Sequence, residues 1–126
     1  MSTAQTSPRH SAQAEAARPS SYDEFFLYYV QQHLNPVNRA LHVTGTVVGT
    51  SGAIASGIAG KPAYIPAFIA LGYAFAWFGH FVFEKNKPAT FGYPLWSFIS
   101  DYRMLALLAS GQLGPWLERA RSERHP

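Results

Sequence analysis

The chain has 126 residues, one domain's worth, of which 48% are hydrophobic, 15% aromatic and only 13% charged, about half the usual charged share. Its net charge of +3 comes from ten Lys and Arg scattered without a run, so it offers no basic patch and nucleic acid is not an expected partner. The absence of cysteine removes disulfides, thiolate zinc sites, iron-sulfur clusters and thiol nucleophiles, leaving His, Asp and Glu as the available metal ligands.

Residues 1–20 are rich in Ser, Ala, Gln, Pro and Arg, with no large apolar residue after Met1. They read as a disordered tail and lack the apolar stretch of a signal peptide. A single helical membrane domain is expected over 21–110. Ser21-Tyr22-Asp23-Glu24 fits a capping box, opening an aromatic helix through Phe25, Phe26, Tyr28 and Tyr29 that ends near His33 and suits a membrane interface. Asn35-Pro36 reads as the N-cap and first residue of the next helix. From Ala40 to Gly60, 21 residues carry no charge, and from Pro62 to Phe83 another 22 carry none; about 20 suffice to span a bilayer. Between them, Gly60-Lys61-Pro62 is a helix stop followed by a helix start. The expected fold class is therefore all-α, an integral-membrane hairpin of two spans with two flanking interfacial helices. The second of these runs from about Pro94 to Ser110, before a polar C-terminal tail over 111–126. Arg39, Lys85 and Lys87 flank the open end of the hairpin and Lys61 alone its tip, which places both termini in the cytoplasm. The alternative is a soluble bundle with two buried helices, which the Gly, Ser and Thr content of the first segment favours.

Small residues recur every four positions, at Gly45, Gly49, Ala53 and Gly57 on the first segment and Gly72 and Ala76 on the second, a pattern that lets helix backbones approach closely. The same registers, extended away from the tip, carry polar residues. His42 and His80 each lie 19 residues from Lys61, and Asn38 and Glu84 each lie 23 from it. An antiparallel hairpin therefore sets them face to face on two rungs about 6 Å apart. His33 can join them if the aromatic helix folds back. Three neutral imidazoles, with Glu84 as an additional or outer ligand and Asn38 behind, suit a divalent first-row ion, iron or zinc, with positions left open for chemistry. The competing reading is a non-catalytic membrane protein whose buried His, Asn and Glu only lock the helices together.

The blocks Tyr28-Tyr29-Val30-Gln31-Gln32-His33-Leu34-Asn35-Pro36-Val37-Asn38-Arg39-Ala40-Leu41-His42 and Gly79-His80-Phe81-Val82-Phe83-Glu84-Lys85-Asn86-Lys87-Pro88-Ala89 resemble the two signature blocks of a membrane family once catalogued as a domain of unknown function, which includes the yeast 2-hydroxy fatty acid dioxygenase of phytosphingosine degradation. The chain is similar to its short bacterial-type branch over roughly Tyr22 to Leu108. The resemblance implies an Fe(2+)-dependent enzyme that uses O2 to shorten a 2-hydroxy fatty acid by one carbon, with His33, His42 and His80 as metal ligands. It also implies a lipid bilayer and a fatty-acyl substrate as partners, in a bacterial inner membrane or, in a eukaryote, the endoplasmic reticulum. Lys87 or Arg103 is then a candidate for the substrate carboxylate, although Asp101 and Arg103 read more simply as a solvated helix face.

Overall fold

The structure, a computed structural model, describes residues 19–123. The expected N-terminal tail therefore lies outside the described residues except for its last two, as do residues 124–126. The described residues form five α-helices and no strand: α1 (Tyr22–Gln31), α2 (Pro36–Ile58), α3 (Ile65–Phe78), α4 (Pro94–Ala109) and α5 (Leu113–Glu123). Ser21 caps α1 by accepting from the Glu24 amide at 3.3 Å. The reciprocal bond of the capping box is displaced by one residue, Glu24 accepting from the amide and hydroxyl of Ser20.

Asn35 caps α2, its side chain accepting from the amides of Val37 and Asn38, and Pro36 occupies the first turn, where a missing N–H costs nothing. At the tip Gly60 takes the left-handed conformation, φ +73, that ends a helix without steric penalty. A short turn over Pro62–Tyr64 leads into α3. The helices of the hairpin touch along the small-residue ridge. A Cβ on Gly45 would sit 2.6 Å from the Gly72 carbonyl oxygen, one on Gly49 2.9 Å from that of Phe68, and one on Gly72 2.9 Å from that of Gly45. Gly57 is the loose end of the ridge, its nearest neighbour being Ile65 Cδ1 at 3.9 Å.

Of the described helices only the continuous stretch Pro62–Glu84, 23 residues, is both long and apolar enough to cross a membrane. α2 is equally long, yet its Gly, Ser and Thr dilute the apolar character that the second segment draws from Ile, Leu, Phe and Trp. A helical hairpin is present as expected from the sequence, and only its second arm has the length and apolarity of a membrane span.

Below the hairpin, α1 packs against α4 and α5 around Phe25, Phe26, Tyr29, Val30, Met104 and Leu113. The segment read as a polar tail after residue 111 is instead largely helical. α5 is amphipathic and sets Trp116 edge-on to Phe26, ring centroids 4.9 Å apart, with Ala120 buried beside it. Arg103 lies over the Phe26 ring at 4.0 Å and near Tyr22 and Trp116, so its charge is spent on an aromatic cluster.

Candidate metal centre

His33, His42 and His80 come from three different segments. His33 closes the turn after α1, its amide bonded to the Val30 carbonyl. Arg39 fixes that turn from α2 by donating to the carbonyls of His33 and Leu34, both at 2.9 Å. His42 sits on the second turn of α2. His80 lies in a π-helical stretch, Gly79–Glu84, that widens the end of α3, a local irregularity common at functional sites. Gly79 is required there because any Cβ would run into Asn38 Oδ1.

One nitrogen from each imidazole falls within 4.8 Å of the others, and the three side chains are almost sealed, with residue exposures of 0%, 6% and 1% for His33, His42 and His80. The depth argument from the tip therefore holds. The outer rung holds as well, Asn38 Nδ2 donating to Glu84 Oε1 at 3.0 Å.

The outward hydrogen bonds fix the tautomers. His33 Nδ1 meets the Tyr29 carbonyl at 2.6 Å, which can only accept. His42 Nε2 meets Asp101 Oδ1 at 2.7 Å, a carboxylate oxygen. His80 Nδ1 meets Asn86 Oδ1 at 2.8 Å. The amide is oriented by Asn86 Nδ2, which donates to the Gln32 carbonyl at 3.2 Å, so its oxygen faces the ring. Each neutral imidazole has one N–H, and all three are used outward. The remaining nitrogens, His33 Nε2, His42 Nδ1 and His80 Nε2, carry lone pairs toward one another, with His33 Nε2 and His42 Nδ1 only 3.3 Å apart. With all three rings neutral these lone pairs repel, and either a bound cation or a proton on the His33 Nε2–His42 Nδ1 contact resolves the conflict. Imidazoles held from behind by a carbonyl, a carboxylate and an amide are the usual support of a metal centre. The donor set thus fits a first-row divalent ion.

Burial pushes the His33 imidazole well below the ordinary histidine range, with His42 and His80 adding to the effect, which keeps it in the neutral, ligating form. The Tyr29 phenol is pushed up, first by burial and then by the Asp101 carboxylate. It stays protonated and donates to Asp101 Oδ1 at 2.6 Å, while its oxygen lies 3.1 Å from His42 Nε2.

Three expected roles need correction. Glu84 is not part of the three-histidine group. Its Oε1 accepts from the Asn35 amide at 2.9 Å and from Asn38, so with Asn38 it anchors the start of α2. Asn38 donates to the Gln32 carbonyl too, leaving its own Oδ1 buried without a partner against Gly79. Asp101 is no solvated surface group, being 13% exposed in its side chain and bonded to both His42 and Tyr29. Lys87 is exposed and Arg103 belongs to the aromatic cluster, and neither lines the cavity that reaches His42.

Tyr29, Asp101 and Asn86 are the site residues that sequence reasoning passed over. Asn86 carries no signal in the sequence, because it reaches His80 only through a left-handed Lys85, φ 61, a conformation that Lys rarely adopts. Asp101→Asn is expected to weaken metal binding about 10- to 100-fold with little change in helix content, measured by equilibrium competition with a chelator.

A family profile described as 2-hydroxy-palmitic acid dioxygenase Mpo1-like matches residues 19–113. The chain belongs to this family. The match takes in α1 through α4, and with them all three histidines and their outward partners. No curated protein and no solved structure matches the chain significantly.

Proposed function

We propose that this member of the Mpo1-like family is an iron(II)-dependent dioxygenase that shortens 2-hydroxy fatty acids by one carbon, working from a two-span hairpin with both termini on the cytoplasmic side. The observation that carries the reading is the set of three buried imidazoles whose N–H groups are all taken by outward acceptors and whose lone pairs converge. The name of the family supplies the substrate class. Val47, Ile58, Phe78 and Phe81 are exposed on the hairpin, a surface suited to lipid, and the pairing of α2 with the more apolar α3 lets both arms cross together.

His33, His42 and His80 would hold the ion, and iron there would bind and activate O2, the 2-hydroxy acid itself supplying the electrons that reduce it. The protein's own part is to fix and shield. The Tyr29 carbonyl, Asp101 Oδ1 and Asn86 Oδ1 hold the three ring protons outward. Tyr29 keeps its phenolic proton and shares it with Asp101, so the carboxylate stays aimed at His42 Nε2. Burial of all three rings excludes bulk water, which limits side reactions of oxygen.

Oxygen consumption by iron-loaded protein in lipid nanodiscs tests this. 2-Hydroxyhexadecanoic acid is expected to drive O2 uptake and yield an acid one carbon shorter, and hexadecanoic acid to drive none. Iron-loaded protein that consumes no O2 with 2-hydroxy acids of any chain length would rule out the dioxygenase while leaving the metal centre.

A further inference from the structure

A cavity of about 200 Å³ runs along the groove between α2, α3 and α4. Its inner end is formed by His42 and Asp101 and its outer end by Ile54 and Ile69, twelve residues of α2 or about 18 Å apart. We propose that this groove takes a single acyl chain, head end at Asp101 and His42 and methyl end toward Ile54 and Ile69. The proposal rests on the reading above only for what lies at the head end.

Three observations carry it. The first is access: His33 and His80 are sealed, and His42, the most exposed of the three, is the one that lines the groove. A ligand coming along the groove therefore meets the centre on its His42 side.

The second is the distribution of polarity. Thr46 spends its hydroxyl on the His42 carbonyl at 3.0 Å. Thr50 and Tyr102 bond to each other at 2.6 Å and so tie α2 to α4. Apart from the Tyr73 hydroxyl, the groove wall thus presents satisfied or apolar groups along its length, including Gly45, Gly49 and Phe98. At the inner end stands the Asp101 carboxylate, whose Oδ1 takes the bonds from Tyr29 and His42 and whose second oxygen remains an acceptor. Such a surface matches an amphiphile with one polar end carrying a hydroxyl donor. A site built around that bond discriminates strongly against the analogue lacking the hydroxyl.

The third is width. A helix with its side chains is about 10–12 Å across, far more than this cavity admits, so a helix from another protein or a second copy does not fit inside it.

The test is photo-crosslinking in nanodiscs with 2-hydroxyhexadecanoic acid bearing a diazirine at its methyl end, followed by peptide mapping. Labelling is expected on Ile54, Ile69 and their groove neighbours and is abolished by excess unlabelled acid. Labelling confined to outward-facing Ile58 and Phe78, insensitive to competitor, would overturn the proposal. A second arm uses Ala53→Phe, which fills the outer part of the groove. Its preference is expected to shift about tenfold or more toward 2-hydroxydodecanoic acid. An unchanged preference in folded Ala53→Phe protein would place the chain elsewhere. Competed labelling of the groove in protein that takes up no metal would uphold this proposal and remove the metal centre, so the two failures are told apart.

Discussion

Gly45→Leu is expected to abolish metal binding and to lower stability more than any surface change, although Gly45 touches no ligand. The Cβ of a new side chain would meet the Gly72 carbonyl oxygen at 2.6 Å and Phe75 Cβ at 2.7 Å. The first of these is backbone and cannot turn aside. Relief requires α2 and α3 to separate, and overpacking of this kind costs about 1–3 kcal/mol. Gly45 lies one turn from His42, so separation carries His42 away from His80 and opens the triangle of nitrogens. Val47→Leu, at a position 43% exposed, is the control and is expected to change stability by less than about 0.5 kcal/mol. Thermal unfolding in detergent, with metal content measured on the same samples, checks both. Equal losses from the two substitutions would show that the ridge is not the contact that sets the site.

His80→Ala is expected to eliminate oxygen consumption while the protein still inserts and folds. The substitution removes one of three ligands and leaves Asn86 Oδ1, a half-buried acceptor, without its donor, which costs about 1 kcal/mol. The glycine contacts between α2 and α3 and the aromatic core around α1 are untouched, so the helix content should match the wild type with a modestly lower midpoint. His33→Ala and His42→Ala are expected to behave alike in activity. A His80→Ala protein that keeps wild-type turnover would remove His80 from the centre.

Much of this arrangement was legible in the sequence because it depends on counting along helices. The equal distances of His42 and His80 from Lys61 predict one level of a hairpin, Asn38 and Glu84 predict the next, and both rungs are present. Asn35-Pro36 and Ser21 marked helix starts correctly. The unread part depends on packing between elements far apart in sequence. Asp101 stands two residues from Arg103 and resembles half of a surface pair. Only the docking of α4 onto α1 and α2 brings it to Tyr29 and His42, 72 and 59 residues away, and sends Arg103 the other way onto Phe26. In the sequence Tyr29 is one more interfacial aromatic, since the periodicity of α1 says that a face is buried without saying against what. By sequence spacing alone, the i, i+4 relation of Glu84 to His80 points its carboxylate toward the metal. The π-helical stretch alters that register and turns its carboxylate to Asn35 and Asn38. α5 is hard to see in the sequence because its Arg and Glu content outweighs the few residues that anchor it, Leu113, Trp116, Leu117 and Ala120.

The claim that the three histidines form a metal centre is tested most directly by metal analysis of protein purified without oxygen and reconstituted with Fe(II). One ion per chain is expected in the wild type and none in His33→Ala, His42→Ala or His80→Ala after the same treatment. Wild-type protein that stays metal-free through reconstitution would contradict it and leave the three imidazoles as hydrogen-bonded ties between helices.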